Sequence, residues 1–375
     1  MDFSKLDNYL ERLPTCGIPA CDLAVTQNGK MIYRRGIGFS DTEHTRPVSS
    51  EDLYYVFSVS KITTCVAAMR LVEEKKLCLD DPVFKYLPSF RYLTVKNEKK
   101  RPVPAQNVLT VRHLFAMTGG FHYNIGEASL VRAKQLPDAD TLHIVNAMSE
   151  ITLDYEPGTR YQYGLCHDIL AAVVEVVSGM RFAEYVQKTV LDPLGMTRTG
   201  YHLPESLVSK MSQLYQYTNG HMSATPIDLN NPLIISDRYD SGGAGLYSCV
   251  DDQIRLLTVL ANGGITEDGY SLLKPETVAM MQVDQLSNDA RLSFWSTRLY
   301  GYSWGLCGRV HVNPFASGSR SSIGEFGWDG AAGAFALVDP NQRLALYFGT
   351  HIRSCDYLHH MVHPTLRNLV YEGLK

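Results

Sequence analysis

The chain is short of several things that would assign it quickly. No apolar run in its 375 residues is long enough to span a bilayer. The start, MDFSKLDNYLERLPTCG, has no basic segment leading into an apolar one, so nothing marks it for export. Charge of one sign is missing too: the net formal charge is −4 and no basic stripe occurs, which speaks against a nucleic-acid partner. The eight cysteines (16, 21, 65, 78, 166, 249, 307 and 355) form no CxxC pair, and several lie inside apolar runs. That pattern predicts reduced core thiols in a cytoplasmic protein rather than disulfides or zinc ligands. There is no internal repeat and no low-complexity tract.

What remains is an ordinary globular composition, 45% hydrophobic and 20% charged, long enough to bury a large core in one big or two intimate domains. Residues 3 to 13 read as a short amphipathic helix. Strand-like runs from Cys21 to Gln27 and Lys30 to Gly36 flank Asn28-Gly29, the dipeptide that suits a two-residue hairpin. From about 58 to 235 helical stretches alternate with loops rich in Gly, Pro and Tyr, including helices from Thr110, over Leu165 to Val177 and over Phe182 to Val190. Another helix is expected over Asp251 to Ala261. Strands return at Gly333 to Val338 and Leu344 to Gly349, and a final helix is expected within His351 to Glu372. The layout predicts a sheet assembled from residues 1–57 and 236–375, with 58–235 as a mostly helical region and a cleft at the junction. Residues 120–140 and 285–325 carry no readable pattern.

The most informative segment is FSVSKITTCVAAMRLVEEKKL, which begins with Ser58-Val59-Ser60-Lys61. On a helix, Ser58 and Lys61 stand one turn apart on the same side. A lysine held out of water there can act as base toward the neighbouring hydroxyl, the arrangement that acyl transfer requires. The same residues also allow a plainer reading, in which Ser58 caps the helix and Lys61 is solvated. A second Ser-x-x-Lys, Ser271 to Lys274, is followed by Pro275, which disfavours helix before it, and reads as loop surface.

Two further stations fit a site. In YEPGTRYQYGLCHDILAAVVEVVSG, Tyr163 lies just ahead of a helix, where a phenol can face a cleft and exchange a proton with Ser58 through Lys61. In GEFGWDGAAGAFALVDPNQRLALYFGTH, glycines around Trp328 allow close backbone approach, and the amides of Ala331 and Ser58 could together hold an oxyanion. His359, His360 and His363 invite a metal reading because 359 and 363 share a helix face. No acidic or third imidazole partner with ligand-like spacing stands nearby, so a structural or surface role is expected and no metal or other cofactor is assigned.

Taken in order, FSVSKITT, TVRHLFAMTGG, EPGTRYQYGL, LDPLGMTRTGY, SGGAGLYSCVDD and FGWDGAAG resemble the motif set of the serine β-lactamase and penicillin-binding-protein superfamily over residues 20 to 350. The likeness is nearest to the class C-like branch that holds family VIII carboxylesterases. It implies an α+β fold with a mixed antiparallel sheet flanked by helices and a mostly helical second region. It also implies Ser58 as nucleophile, Lys61 as proton acceptor, Tyr163 as base or acid, and Trp328-Asp329-Gly330 as the strand lining the pocket. Two departures bear on substrate. Penicillin-recognising members usually carry Tyr-x-Asn where this chain has Tyr163-Gly164-Leu165, and a cationic triplet where it has Trp328-Asp329-Gly330. Leu165 and Trp328 then offer an apolar surface, while Asp329, if it faces the cleft, would repel a carboxylate. Arg198-Thr199-Gly200 mimics the lost triplet but reads as structural. No Gly-x-Ser-x-Gly elbow is present, which argues against a standard α/β-hydrolase.

These readings lead to a serine carboxylesterase working through an acyl-enzyme on a small ester or amide, with possible transfer to another alcohol. β-Lactam hydrolysis and D-amino-acid peptidase activity on the same scaffold are alternatives, as is a non-catalytic ligand-binding protein of the same fold.

Overall fold

In the computed structural model, which describes residues 1–295 and 299–375, the chain builds a seven-stranded sheet from both ends of the sequence. Its strands are β1 (Ala20–Gln27), β2 (Lys30–Gly38), β3 (Tyr302–Trp304), β4 (Arg309–His311), β5 (Phe326–Gly327), β6 (Phe335–Asp339) and β7 (Leu344–Gly349). The spatial order is β2-β1-β7-β6-β5-β4-β3, and every neighbouring pair is antiparallel. Asn28 and Gly29 turn the first hairpin with φ of 51° and 80°, the left-handed pair that its tight two-residue loop demands. Residues 296–298, within the stretch from 285 to 325, lie outside the described residues.

Both faces of the sheet are covered, which explains why β1, β6 and β7 are buried almost throughout rather than alternating between buried and exposed residues. On one face Leu23, Val25, Leu337, Leu346 and Phe348 pack with Leu6 and Leu10 of α1 (Ser4–Leu10), and with Leu366 and Val370 of a C-terminal helix, His363–Gly373. On the other, Ala24, Ala336, Val338, Ala345 and Tyr347 join a larger core containing helices α2 (Ser60–Glu73), α3 (Cys166–Ser178) and α4 (Val250–Ala261). Each fully buried Leu or Val there contributes about 1.5–3 kcal/mol. The C-terminal helix is α5.

Helix α2 runs through this core with every residue from Ser60 to Met69 buried, which accounts for its lack of a polar face. A single 3₁₀ turn, Phe57–Val59, precedes it, and neither segment has a side-chain cap. Ser58 is therefore not spent as a helix cap. The region between α1 and α5 also holds a smaller sheet that the sequence did not announce, Leu214–Thr218 with Ser223–Ile227 and Ile352–Arg353. Among the described residues no helix is long and apolar enough to cross a membrane.

Candidate active site

Ser58 lies at the mouth of α2, directly after Phe57, whose backbone is in the left-handed region at φ 46°. A bulky residue in that conformation costs on the order of 1 kcal/mol or more and persists only where packing enforces it. Here the Phe57 ring is buried with Leu214 and Ala332, so the residue before the serine is clamped against the turn that follows Gly330.

Lys61 is fully buried. Its Nζ is 3.2 Å from Ser58 Oγ, 2.7 Å from Tyr123 Oη and 2.7 Å from the Gly243 carbonyl oxygen. Three acceptors match the three hydrogens of an ammonium. In the neutral amine the two shorter contacts keep a hydrogen each, and the remaining lone pair points at Ser58. Gly243 is itself held: buried Asp168 accepts hydrogen bonds from the Tyr239 and Ser241 hydroxyls, both at 2.7 Å, and from the Gly243 amide at 3.2 Å.

Tyr163 meets the lysine differently. Its ring centroid is 4.8 Å from Lys61 Nζ, and its hydroxyl accepts a hydrogen bond of 2.7 Å from the Trp328 indole N–H. Trp304 packs edge-on to Trp328 at 4.5 Å between ring centroids and is fully buried, so the indole has little freedom. The sequence at 164 must be glycine for this placement, because a Cβ there would run into the Phe121 carbonyl. Burial, reinforced by Tyr163 and Asp168, holds the Tyr123 hydroxyl pKa well above 10, which keeps it a phenol.

Opposite these groups, the turn after β5 brings Trp328 to Ala331 against the segment before Ser58. Gly330 donates its amide to Ala334 O at 2.8 Å, and a Cβ at 330 would stand 2.5 Å from the Val56 carbonyl oxygen. This close approach sets Ala331 beside Ser58. Both line a cavity of about 300 Å³ together with Tyr161, Tyr163, Leu299 and Trp328. A larger cleft of about 450 Å³, between Met31, Leu194 and Ile254, has no serine beside a lysine and lies apart from this chemistry.

The family profile described as Beta-lactamase matches residues 6–353. The chain belongs to the beta-lactamase family. Esterase EstB of Burkholderia gladioli is 30% identical over 341 residues, which is 84% of this chain and 81% of that protein. Lovastatin esterase of Penicillium rubens is 27% identical, over 72% of this chain and 69% of its own length. The solved structure of EstCE1, a hydrolase with promiscuous acyltransferase activity, superposes with a TM-score of 0.79 at 25% identity, covering 98% of this chain and 100% of that one.

Within this beta-lactamase-family chain the site residues expected from sequence are distributed unevenly. Ser58, Tyr163, Trp328, Asp329, Gly330 and Ala331 all line the one cavity, with Lys61 behind Ser58. Leu165 does not: it is 2% exposed, precedes α3 and belongs to the helical core, because the chain turns inward after Gly164. Asp329 reaches the cavity only in part. Its Oδ1 is 2.7 Å from the Arg309 guanidinium, and Oδ2 faces His363 and His359 at 3.6 and 3.8 Å. Burial opposes its charge, yet Arg309 and the two imidazoles hold its carboxyl well below the usual carboxylate range. Its negative charge is thus matched by a buried cation rather than presented to a substrate.

The other sequence candidates fall elsewhere. Ser271 bonds its own loop at Leu273 O, 3.1 Å, and Lys274 precedes the helix Pro275–Met281. Arg198 pairs with Asp251 at 3.0 Å and Thr199 with Asp252 at 2.9 Å, a structural join onto α4. Sequence reasoning missed Tyr123, Asp168 and Arg309. A polar loop, GGFHYN, surrounds Tyr123, and its role appears only when that loop folds over Lys61.

Proposed function

We propose that this protein hydrolyses carboxylic esters through an acyl-enzyme on Ser58. The observation that carries the reading is Lys61 Nζ at 3.2 Å from Ser58 Oγ, buried behind a mostly apolar cavity. Ser58 Oγ attacks the ester carbonyl while its proton passes to the lone pair of Lys61, which two acceptors hold in register. The carbonyl oxygen of the tetrahedral intermediate lies toward the amides of Ser58 and Ala331. When the C–O bond breaks, the alkoxide takes a proton from the Lys61 and Tyr163 pair and departs as an alcohol. Water then adds to the acyl carbonyl and gives its proton to the same base. The acid leaves and Ser58 recovers its hydrogen. A second alcohol in place of water yields a new ester, which agrees with the acyltransferase activity printed for EstCE1.

The substrate end of the reading comes from the cavity wall. Among the described residues no lysine or arginine lines it; Trp328, Tyr161 and Leu299 give it apolar surface, and its polar groups beyond Ser58 and Tyr163 are Asp329, His359 and His360. That favours neutral esters of modest size over anionic β-lactams, and we expect slow or no turnover of nitrocefin. The eight cysteines are all free thiols, which supports work in a reducing compartment such as the cytoplasm.

Substitution Ser58→Ala tests the mechanism. Turnover of a short-chain nitrophenyl ester should vanish, and a mass increment equal to one acyl group should form on the native protein but not on the variant. Undiminished hydrolysis by the variant would remove the proposal.

A further inference from the structure

We propose that Asp329, His359 and His363 form a site for a first-row divalent transition metal, zinc by its ligand chemistry, in the wall of the same cavity. Spacing in the sequence supplies only the two imidazoles; the acid arrives from the turn after β5, thirty residues upstream of His359. One carboxylate oxygen and two imidazole nitrogens lie within 4.8 Å of one another, with Asp329 Oδ2 at 3.6 Å from His363 Nδ1 and 3.8 Å from His359 Nδ1. Donors around tetrahedral zinc, bonded at about 2.0–2.2 Å, stand roughly 3.3 Å apart. The two contacts of Asp329 are within about half an ångström of that spacing, and the partly exposed His359 ring is the one that would swing inward to complete the trio.

The surroundings orient each ligand as metal sites require. His363 is buried, stacked on Phe335 at 4.7 Å and 11°, and its Nε2 is 3.0 Å from the Gly333 carbonyl oxygen. That contact places the ring hydrogen on Nε2 and leaves Nδ1 with a bare lone pair. Among the described residues Nδ1 has no partner at hydrogen-bond distance, and Asp329 Oδ2 stands 3.6 Å away. A proton on Nδ1 or a metal ion between the two atoms would each satisfy that facing pair, and the metal uses His359 as well. Asp329 is fixed from its other oxygen by Arg309, whose second nitrogen approaches Glu325 at 3.6 Å, so two carboxylates surround that one guanidinium. His359 is partly exposed and lines the cavity, which leaves a fourth coordination position open toward bound small molecules. Nitrogen and oxygen donors of this kind suit zinc, cobalt or nickel rather than calcium or magnesium.

The test uses the full chain stripped with a chelator and titrated with zinc against a chromophoric competitor, with cobalt as a spectroscopic probe. We expect one zinc per chain, visible cobalt bands of a nitrogen and oxygen site without a thiolate charge-transfer band, and at least tenfold weaker binding in His359→Ala. His359 is partly exposed, so that variant keeps its fold; circular dichroism checks this. His363→Gln and Asp329→Asn should weaken binding likewise. Binding should persist in Ser58→Ala, which separates this site from the esterase reading. Absence of stoichiometric zinc, which would leave only a proton between the imidazole and the carboxylate, overturns the proposal. So does binding unaltered in His359→Ala, or a thiolate band that places the metal at a cysteine.

Discussion

Trp328 donates its indole N–H to the hydroxyl oxygen of Tyr163 at 2.7 Å. A hydrogen bond into the phenol oxygen stabilises negative charge there, and it fixes the ring beside Lys61 while leaving the hydroxyl's own hydrogen free for transfer. The substitution that resembles a loss of cationic character in the sequence thus gives the site an oriented donor.

Trp328→Phe should therefore lower kcat for a nitrophenyl ester by about tenfold, the worth of one hydrogen bond near 1.4 kcal/mol, with little change in melting temperature. Steady-state kinetics check it. Unchanged kcat would mean that the indole only fills space.

The two tyrosines should separate by variant. If Tyr163 exchanges the proton as proposed, Tyr163→Phe should reduce kcat by at least a hundredfold. Tyr123→Phe removes one of three acceptors of Lys61 and should cost about ten- to a hundredfold, since the lysine loses its alignment but the relay remains. Comparing single-turnover acylation rates of both variants decides the order; the reverse order would assign the proton exchange to Tyr123.

Gly330→Ala would set a methyl 2.5 Å from the Val56 carbonyl oxygen. The turn must move outward, carrying the Ala331 amide with it. Acylation should slow by about a hundredfold, the effect of losing one oxyanion donor, and the melting temperature should fall by several degrees. Stopped-flow acylation and a thermal melt measure the two effects.

Acid stability should depend on His351. Full burial lowers its pKa to about 4, with Nδ1 2.9 Å from the Ser212 carbonyl and Nε2 accepting from the Tyr55 amide. In the unfolded chain an imidazole titrates near 6.5. Between about pH 6.5 and 4 the unfolded state binds a proton that the folded state refuses, so stability rises with pH across that window and falls on acidification. The slope for one such group is about 1.4 kcal/mol per pH unit. His167, lowered to about 3 by burial, acts in the same direction, and Asp22, raised to about 6 by burial, acts against both. Denaturant melts of His351→Gln at pH 7, 6 and 5 should show a shallower loss than the native protein. Parallel losses would sink this assignment.

The sequence made the Ser58–Lys61 contact legible because the two are three residues apart, so local helix geometry alone brings them together. Tyr163 and Trp328 were legible through their motifs, and the Asn28-Gly29 hairpin through turn chemistry. Tyr123 and Asp168 were not. Their parts depend on contacts across 62 and 75 residues of chain, to Lys61 and Gly243, for which no local period exists. Leu165 shows the opposite failure: its neighbour Gly164 permits so sharp an approach to Phe121 that the following residue is drawn into the core. Asp329 was visible as an acid, but its buried counter-ion, Arg309, sits in a three-residue strand with no signal of its own.

The left-handed backbone at Phe57 is held by the packing of its ring with Leu214, Ala332 and the edge of Tyr55. Once that grip loosens, the strained torsion relaxes and swings the neighbouring hydroxyl off target while most of the sheet is still intact. Heating should therefore silence turnover before it melts the molecule, making the enzyme's own activity a gauge of how tightly that single aromatic ring is seated.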